Sequence, residues 1–290
     1  MSAPNQEPDF FSPQIARARR FCVELAPPLG RRLAVICGGV EHCTADFEIH
    51  RPDFPYWSLE FVAQGLGTLA LGGRSYRLVP GTVFSYGPGV PQDIVTDRQR
   101  RLVKYFVDFA GFGARRLVCR IGGVPGAVVR ASAPAEVLGA FDELIRVGLA
   151  VSPRRERLLA LQLELLAVRI EESAVPYVEA DTRAFATYRR CREHLETHWC
   201  RLATAGAAAA ECGVDPAYLT RLFKRFDRTT PYRFLMRVKM EHAAERLLDP
   251  GALVREVADG LGFSDPYHFS RAFKRVMAVS PGQFARFHRR

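Results

Sequence analysis

The stretch DPAYLTRLFKR, Asp215 to Arg225, returns as DPYHFSRAFKR, Asp265 to Arg275, fifty residues further along. Asp, Pro, Arg, Phe, Lys and Arg keep their places while the residues between them change. A local code written twice demands the same small unit built twice. Each copy reads as a helix: the aspartate is placed to cap orphan backbone N–H groups, and proline at the first helical position loses no hydrogen bond. In the first copy Leu219, Leu222, Phe223 and Phe226 fall on one stripe; in the second Phe269, Ala272, Phe273 and Val276 do. The opposite face carries Ala217, Thr220, Arg221 and Lys224, matched by Tyr267, Ser270, Arg271 and Lys274. The buried stripe is shared and the outward row differs.

Each copy follows a shorter helical pattern. Ahead of the first lies the alanine-rich AGAAAAECGV with a turn at Gly213, and alanine lets a second helix approach closely. Ahead of the second, Val254, Val257, Ala258 and Leu261 recur at helical spacing, then Gly262, Phe263 and Ser264 form a turn. Helix, Gly-containing turn and helix with a basic outer face is the helix-turn-helix pattern, present twice. Between the units a helix starts at Thr230 and Pro231, places Met236, Met240, Ala243 and Leu247 on one face, and stops at Asp249, Pro250 and Gly251. Two such units reading one face of a duplex would sit about one turn apart, roughly 34–36 Å.

Charge divides the chain in the same place. Residues 183–290 hold 20 Lys and Arg against 11 Asp and Glu, whereas residues 1–182 hold 21 against 20. Nearly all of the formal +10 therefore belongs to the repeat-bearing part, which points to a polyanion partner for that part alone. The cations lie on several short helices rather than one long amphipathic one, unlike a membrane-surface segment. No apolar run approaches a signal peptide or a membrane span, so a cytoplasmic location is expected. The seven cysteines form no C-x-x-C pair and are expected as reduced thiols.

From about Cys43 to Gly111 the pattern becomes short alternating runs between turn residues, with glycines at 65, 67, 72, 73 and 81. LVKYFVDF, residues 102–109, is a further strand, and the whole suggests a barrel or sandwich. Two amphipathic helices follow, AEVLGAFDELIRVGL and RRERLLALQLELLAVRIEESAV; in the second, Leu158, Leu161, Leu165 and Val168 recur at spacings of three and four.

The carboxy-terminal part resembles the DNA-binding domain of the AraC/XylS family of bacterial transcription regulators. The matching stretches are YLTRLFKR, KMEHAAERLL, VADGLGFSDPYHFSRAFKR and SPGQF, in order over about 100 residues. The resemblance implies an α+β multidomain chain. Its parts are a cupin-like effector-binding β-barrel (1–130), a helical, dimerising segment (131–175), a linker (176–183) and an all-α double helix-turn-helix domain (184–290). It also implies base contacts from Ala217, Thr220 and Arg221 in the first unit, and from Tyr267, His268, Ser270 and Arg271 in the second. Arginine can bind guanine in bidentate fashion, and Ser or Thr can serve several bases. Lys224, Lys274, Arg225 and Arg275, lower on the helices, suit phosphate. Four positions depart from the family. Arg228 and Ala278 stand where glycine usually follows each recognition helix, at a cost on the order of 1 kcal/mol in a left-handed cap, so a different helix ending is expected there. Lys239 and Ala285 each replace an arginine.

The amino-terminal part is similar to the family's cupin-like ligand-binding barrel through Gly65–Gly67, Tyr76–Gly81 and the Pro88–Gly89 turn. Positions matching ligand contacts of sugar-sensing relatives are Gln64, Gln92, Ile94 and Phe106, and Phe54, Tyr56 and Trp57 are placed to wall the mouth. Gln64 replaces a family arginine, so a sugar does not simply carry over. Metal-dependent cupins need several histidines and a carboxylate around one ion. Residues 1–182 have only His42 and His50, and Gln92 stands where relatives carry histidine. No metal, cofactor or catalytic activity is expected. The expected partners are double-stranded DNA, an unidentified small-molecule effector, a second copy of the chain and RNA polymerase. Two alternatives remain at this level: a regulator whose barrel is structural or protein-binding, and a cupin-type enzyme tethered to DNA.

Overall fold

The structure is a computed structural model and describes residues 8–26, 30–124, 126–180, 182–249, 251–263 and 265–288. It forms two compact units that part between Ala180 and Asp181. The first holds strands β1 (Ile15–Cys22), β2 (Ala34–Cys43), β3 (Glu48–Arg51), β4 (Trp57–Gln64), β5 (Gly67–Leu71), β6 (Arg74–Leu78), β7 (Thr82–Tyr86), β8 (Gln92–Thr96), β9 (Val103–Ala110), β10 (Val128–Ala131) and β11 (Ala174–Pro176). Its helices are α1 (Ala114–Gly122), α2 (Pro134–Leu149), α3 (Arg155–Ser173) and α4 (Tyr177–Ala180).

A seven-stranded sheet, β1-β2-β9-β4-β7-β10-β11, faces a four-stranded one, β3-β8-β5-β6, as the two walls of a flattened barrel. The pairings are antiparallel. Strand alternation sorts the side chains into two cores. From β4 and β9, Leu59, Phe61, Val107 and Phe109 point outward and pack with Leu117, Phe141, Leu144, Leu163 and Leu166 of α1, α2 and α3. Between the sheets, Val62, Phe84 and Tyr86 meet Phe47, Ile49, Leu69, Leu71 and Ile94. Each such apolar side chain contributes about 1.5–3 kcal/mol on burial. The β5–β6 hairpin turns on Gly72 and Gly73, with φ of 56° and 77°, the left-handed pair that a two-residue turn requires.

Strands β1 and β2 and helix α1 were not legible from the sequence pattern. β1 is an arginine-rich edge strand, and β2 carries Gly38 and Gly39 in mid-strand, so neither shows clean alternation. The linker expected at 176–183 is also corrected. Pro176 pairs with Val129 of β10, and Tyr177 of α4 packs edge-on against Tyr76 and bonds the Arg77 backbone. Residues 176–180 belong to the first unit, and α5 of the second begins at Arg183; Asp181 lies outside the described residues. No helix among the described residues is long and apolar enough to cross a membrane.

The second unit comprises α5 (Arg183–His198), α6 (Ala205–Glu211), α7 (Pro216–Phe226), α8 (Pro231–Leu247), α9 (Val254–Gly260), α10 (Pro266–Met277) and α11 (Pro281–His288). Helix α8 serves both halves: Phe234 meets Phe223 of α7, while Met236, Met240, Ala243 and Leu247 pack with Val257, Leu261, Phe269 and Phe273. Thr230 caps it by accepting from the Arg233 N–H. Pro250 and Ser264, expected in the flanking turns, lie outside the described residues.

Candidate nucleic-acid interface and effector cavity

Both helix-turn-helix units close their first helix alike. The Val214 N–H donates to Ala209 O and the Phe263 N–H to Ala258 O, each 3.0 Å. Gly213 and Gly262 take left-handed φ of 63° and 78° at the corner. This Schellman closure fixes the angle at which the next helix leaves. That helix is then capped: Asp215 accepts from the Tyr218 N–H at 2.8 Å, and Asp265 from the Tyr267 and His268 N–H groups at 2.8 and 3.1 Å.

Leu219, Leu222, Phe223 and Phe226 are buried, as are Phe269 and Phe273. Val276 is not; at 38% exposure it lies at the margin, because α10 has only two side chains fully seated against α8 and α9. Outward, Ala217, Arg221 and Lys224 are exposed on α7, and Tyr267, His268, Arg271 and Lys274 on α10; Thr220 and Ser270 are half-buried. Thr220 spends its hydroxyl proton on Pro216 O, which leaves its oxygen as an acceptor. The Arg221 guanidinium lies 5.6 Å from the Tyr218 ring, and the His268 ring rests against Phe263. Arg225 and Arg275 continue the basic surface toward the helix ends.

The helix endings are corrected in one respect. Arg228 and Ala278 take positive φ of 51° and 63°, so the left-handed caps form without glycine. The chain accepts on the order of 1 kcal/mol at each. Lys239 has turned inward: it is 3% exposed, and its ammonium donates to Leu261 O at 3.0 Å, tying α8 to the second turn. Burial lowers its pKa.

In the first unit, the seven residues expected around an effector separate. Gln92, Ile94, Phe106, Phe54 and Tyr56 face the space between the sheets. Trp57 packs on the opposite face of β4 with the helix-side core, and Gln64 is exposed at the end of that strand. The seven are not one cluster, because β4 turns alternate residues to opposite sides.

What fills the interior instead is an ionic network. The Lys104 ammonium sits 2.7 Å from Glu41 Oε2 and 3.2 Å from Glu60 Oε2, with all three side chains at most 5% exposed. Arg20 reaches Glu41 at 2.9 Å, and the Tyr86 hydroxyl donates to Glu60 at 2.6 Å. Burial alone would lower the Lys104 pKa, but the two glutamates outweigh it and hold the pKa above its usual value. Burial likewise opposes ionisation of Glu41, and Lys104 with Arg20 overcomes it. Asp108 has no cation at hydrogen-bonding distance, and burial pushes its carboxyl up to about 6.

Phe10, Phe11 and Ser12 close this interior. Arg51 donates to Phe10 O, Arg20 donates to Ser12 O, and the Arg20 guanidinium lies 4.5 Å from the Phe11 ring. The space left beside Glu60, Lys104, Phe106 and Asp108 is about 10 Å³, no more than one water. Among the described residues, Ser58 Oγ, Asp108 Oδ1 and both amide atoms of Gln92 are buried inside the barrel without a protein hydrogen-bond partner, and Glu60 Oε2 has only the Lys104 ion pair. A larger cleft of about 760 Å³ lies near Tyr76, Val124 and Tyr177 and touches none of these residues. Glu41, Glu60, Lys104 and Asp108 were missed at the sequence level. Their signal was charge at alternate positions of apolar runs, as in LVKYFVDF, where Lys104, Phe106 and Asp108 share a face.

Residues 36–166 match the AraC-like ligand binding domain, and residues 208–286 match a helix-turn-helix domain. The chain is 24% identical over 269 residues to the MmsAB operon regulatory protein of Pseudomonas aeruginosa, spanning 89% of this chain and 84% of that one. It is 21% identical over 253 residues to the Msm operon regulatory protein of Streptococcus mutans, spanning 85% and 90%. To the lactose operon transcription activator of Staphylococcus xylosus it is 20% identical over 230 residues, spanning 78% and 82%. With a β-barrel that matches the AraC-like ligand binding domain and, later in the chain, two capped helix-turn-helix units, the chain belongs to the AraC family of DNA-binding transcription regulators.

Proposed function

We propose that this regulator reads two short DNA blocks through the rows Ala217, Thr220, Arg221 and Tyr267, His268, Ser270, Arg271. Lys224 and Lys274 hold phosphates in this reading. The observation that carries it is the pairing of two Asp-capped helices that bury phenylalanines at matching positions, Phe223 and Phe273, while their outward rows differ. Selection from a random DNA pool with the full-length protein is expected to enrich two blocks about one helical turn apart. Arg221→Ala or Arg271→Ala should each cost about 1–3 kcal/mol and relax preference at particular base pairs. Equal losses on every DNA sequence would reassign both arginines to phosphate.

The effector site in this reading is the barrel interior. A ligand entering there replaces Phe10 and Phe11, releases Arg51 from the Phe10 carbonyl, and meets Asp108 Oδ1, Ser58 Oγ and the Gln92 amide. Those groups suit a small polar molecule that offers donors to Asp108 and an acceptor to Arg51. The near-complete filling by Phe10 and Phe11 supports a second reading, in which the interior is purely structural. A thermal-shift series with sugars, hydroxy acids and amino acids separates the two; no shift with any of them favours the structural reading. Binding would act by shifting populations between conformations of the regulator.

We also infer that the active form is a homodimer joined through α3. That helix carries two leucine stripes. Leu159, Leu163, Leu166 and Ile170 pack on the barrel, whereas Leu158, Leu161 and Leu165 remain 42%, 57% and 46% exposed. An exposed apolar row of this spacing on one helix matches a helix–helix seam. Leu161→Glu with Leu165→Glu is expected to weaken self-association at least about 100-fold, since each buried leucine contributes about 1.5 kcal/mol or more. Sedimentation velocity reads this directly, and an unchanged dimer would move the interface elsewhere. Contact with RNA polymerase, and activation as the outcome, belong to the same proposal; the Staphylococcus xylosus relative is itself an activator.

A further inference from the structure

All seven cysteines are thiols, and two of them face each other across a strand pair. Cys22, the last residue of β1, is the register partner of Cys37 in β2. The neighbouring Val23 N–H donates to Ile36 O at 2.8 Å, so Val23 and Ile36 form the hydrogen-bonded pair and Cys22 with Cys37 the pair between. At such a position the Cα atoms stand about 4.5 Å apart with side chains on the same face. A disulfide accepts Cα separations of about 4.4–6.8 Å, so no backbone rearrangement is required. The two thiols are already within hydrogen-bonding reach of one another.

Their surroundings are unequal. Cys22 is exposed on an edge strand. Cys37 is fully buried behind it, walled by Ile36, Phe106, Tyr56, Phe10 and Phe11, and its Sγ donates to Asp108 Oδ2 at 3.2 Å. An oxidant arriving from solvent therefore meets Cys22 first, with a second thiol and a carboxylate lined up behind it. This is the arrangement of a peroxidatic cysteine, a resolving cysteine and a proton acceptor.

We propose that Cys22 and Cys37 are a reversible oxidation site for hydroperoxides. The Cys22 thiolate attacks the peroxide, takes one oxygen as sulfenic acid and, with one proton, releases an alcohol or water. The Cys37 sulfur then attacks the Cys22 sulfur; its proton passes through Asp108 to the departing hydroxide, which leaves as water. Two thiols have lost two electrons, and the peroxide has gained them. A small-molecule dithiol reverses the step by exchange. Disulfide formation also removes the thiol proton that Cys37 donates to Asp108, which couples the thiol state to the barrel interior. That consequence rests on the effector reading above; the oxidation itself does not.

The test is oxidation of the full-length protein with hydrogen peroxide, followed by alkylation, intact mass and peptide mapping. The expected result is loss of two of the seven thiols, a mass lower by two hydrogens, and one cross-linked peptide joining Cys22 to Cys37, all reversed by dithiothreitol. Cys22→Ser, at an exposed position, is expected to abolish the cross-link, while Cys200→Ser leaves it. Cys191 and Cys212 also lie within hydrogen-bonding reach of each other but are both buried. A cross-link that maps to that pair, or that persists in Cys22→Ser, overturns the proposal. So does wild-type protein that accumulates Cys22 sulfinic acid with Cys37 still a thiol.

Discussion

Replacing Lys104 by methionine is expected to destabilise the first unit by about 3–5 kcal/mol, the range for removing one partner of a buried ion pair. Methionine fits the space of the lysine stem, so the loss reports charge rather than a hole. Glu41 would retain Arg20, but Glu60 would be left with the Tyr86 hydroxyl as its donor. One carboxylate would then be buried without a cation. Adding Glu60→Gln to Lys104→Met removes that charge and should recover a large part of the loss, a coupling that a double-mutant cycle reads. The chain's two tryptophans, Trp57 and Trp199, fall in different units, so denaturation followed by fluorescence in a Trp199→Phe background reports the first unit. A loss below about 1 kcal/mol is the size found for solvated surface pairs, and it would show that water reaches this network.

Asp108→Asn is expected to raise stability at neutral and alkaline pH. Asp108 holds its proton more tightly folded than unfolded, with a pKa of about 6 against an ordinary 3.8. Its contribution to stability is therefore fully present below about pH 4 and is lost as pH rises through 6. Ionisation above that pH costs the folded state about 3 kcal/mol. Asparagine cannot ionise; its carbonyl can still accept from Cys37, and its amide can face Ser58 across the β4–β9 ladder. The stability difference between variant and wild type should thus grow by about 3 kcal/mol between pH 4 and pH 8. A difference that stays flat across that range would mean Asp108 titrates as an ordinary carboxylate. The same substitution should impair effector binding if the interior is the ligand site. Keeping a destabilising ionised carboxylate is the usual trade of stability against function.

The helix-turn-helix half was legible because its determinants are local. A cap reaches three residues ahead, a proline acts at its own position, and stripe and row repeat every three or four residues. Asp215 and Asp265 cap as their sequence context predicts, and the outward rows emerge where periodicity puts them. The departures came where a neighbour intervenes. Val276 continues the periodic stripe but finds no full partner, and Arg228 and Ala278 are held in left-handed conformations that their own preferences disfavour.

The barrel's interior was not legible in the same way. Glu41, Glu60 and Lys104 lie far apart along the chain, and each alone reads as an ordinary strand charge. They become a network only because β2, β9 and β4 are neighbours in the sheet. Trp57 and Gln64 show the converse, since one was expected at the cavity mouth and the other against the ligand, while the strand's pleat and end placed them elsewhere.

Helix α3 sets the division most clearly. Sequence periodicity by itself establishes an amphipathic helix with more leucine than one face can hold. It also establishes, through repeat and charge, a paired and basic helix-turn-helix module that follows a β-rich domain in the chain. Which leucines meet the barrel, which charges go inside, and which two cysteines share a register are settled by tertiary structure alone. Those contacts depend on strands brought together across tens of residues, and no local preference encodes that proximity.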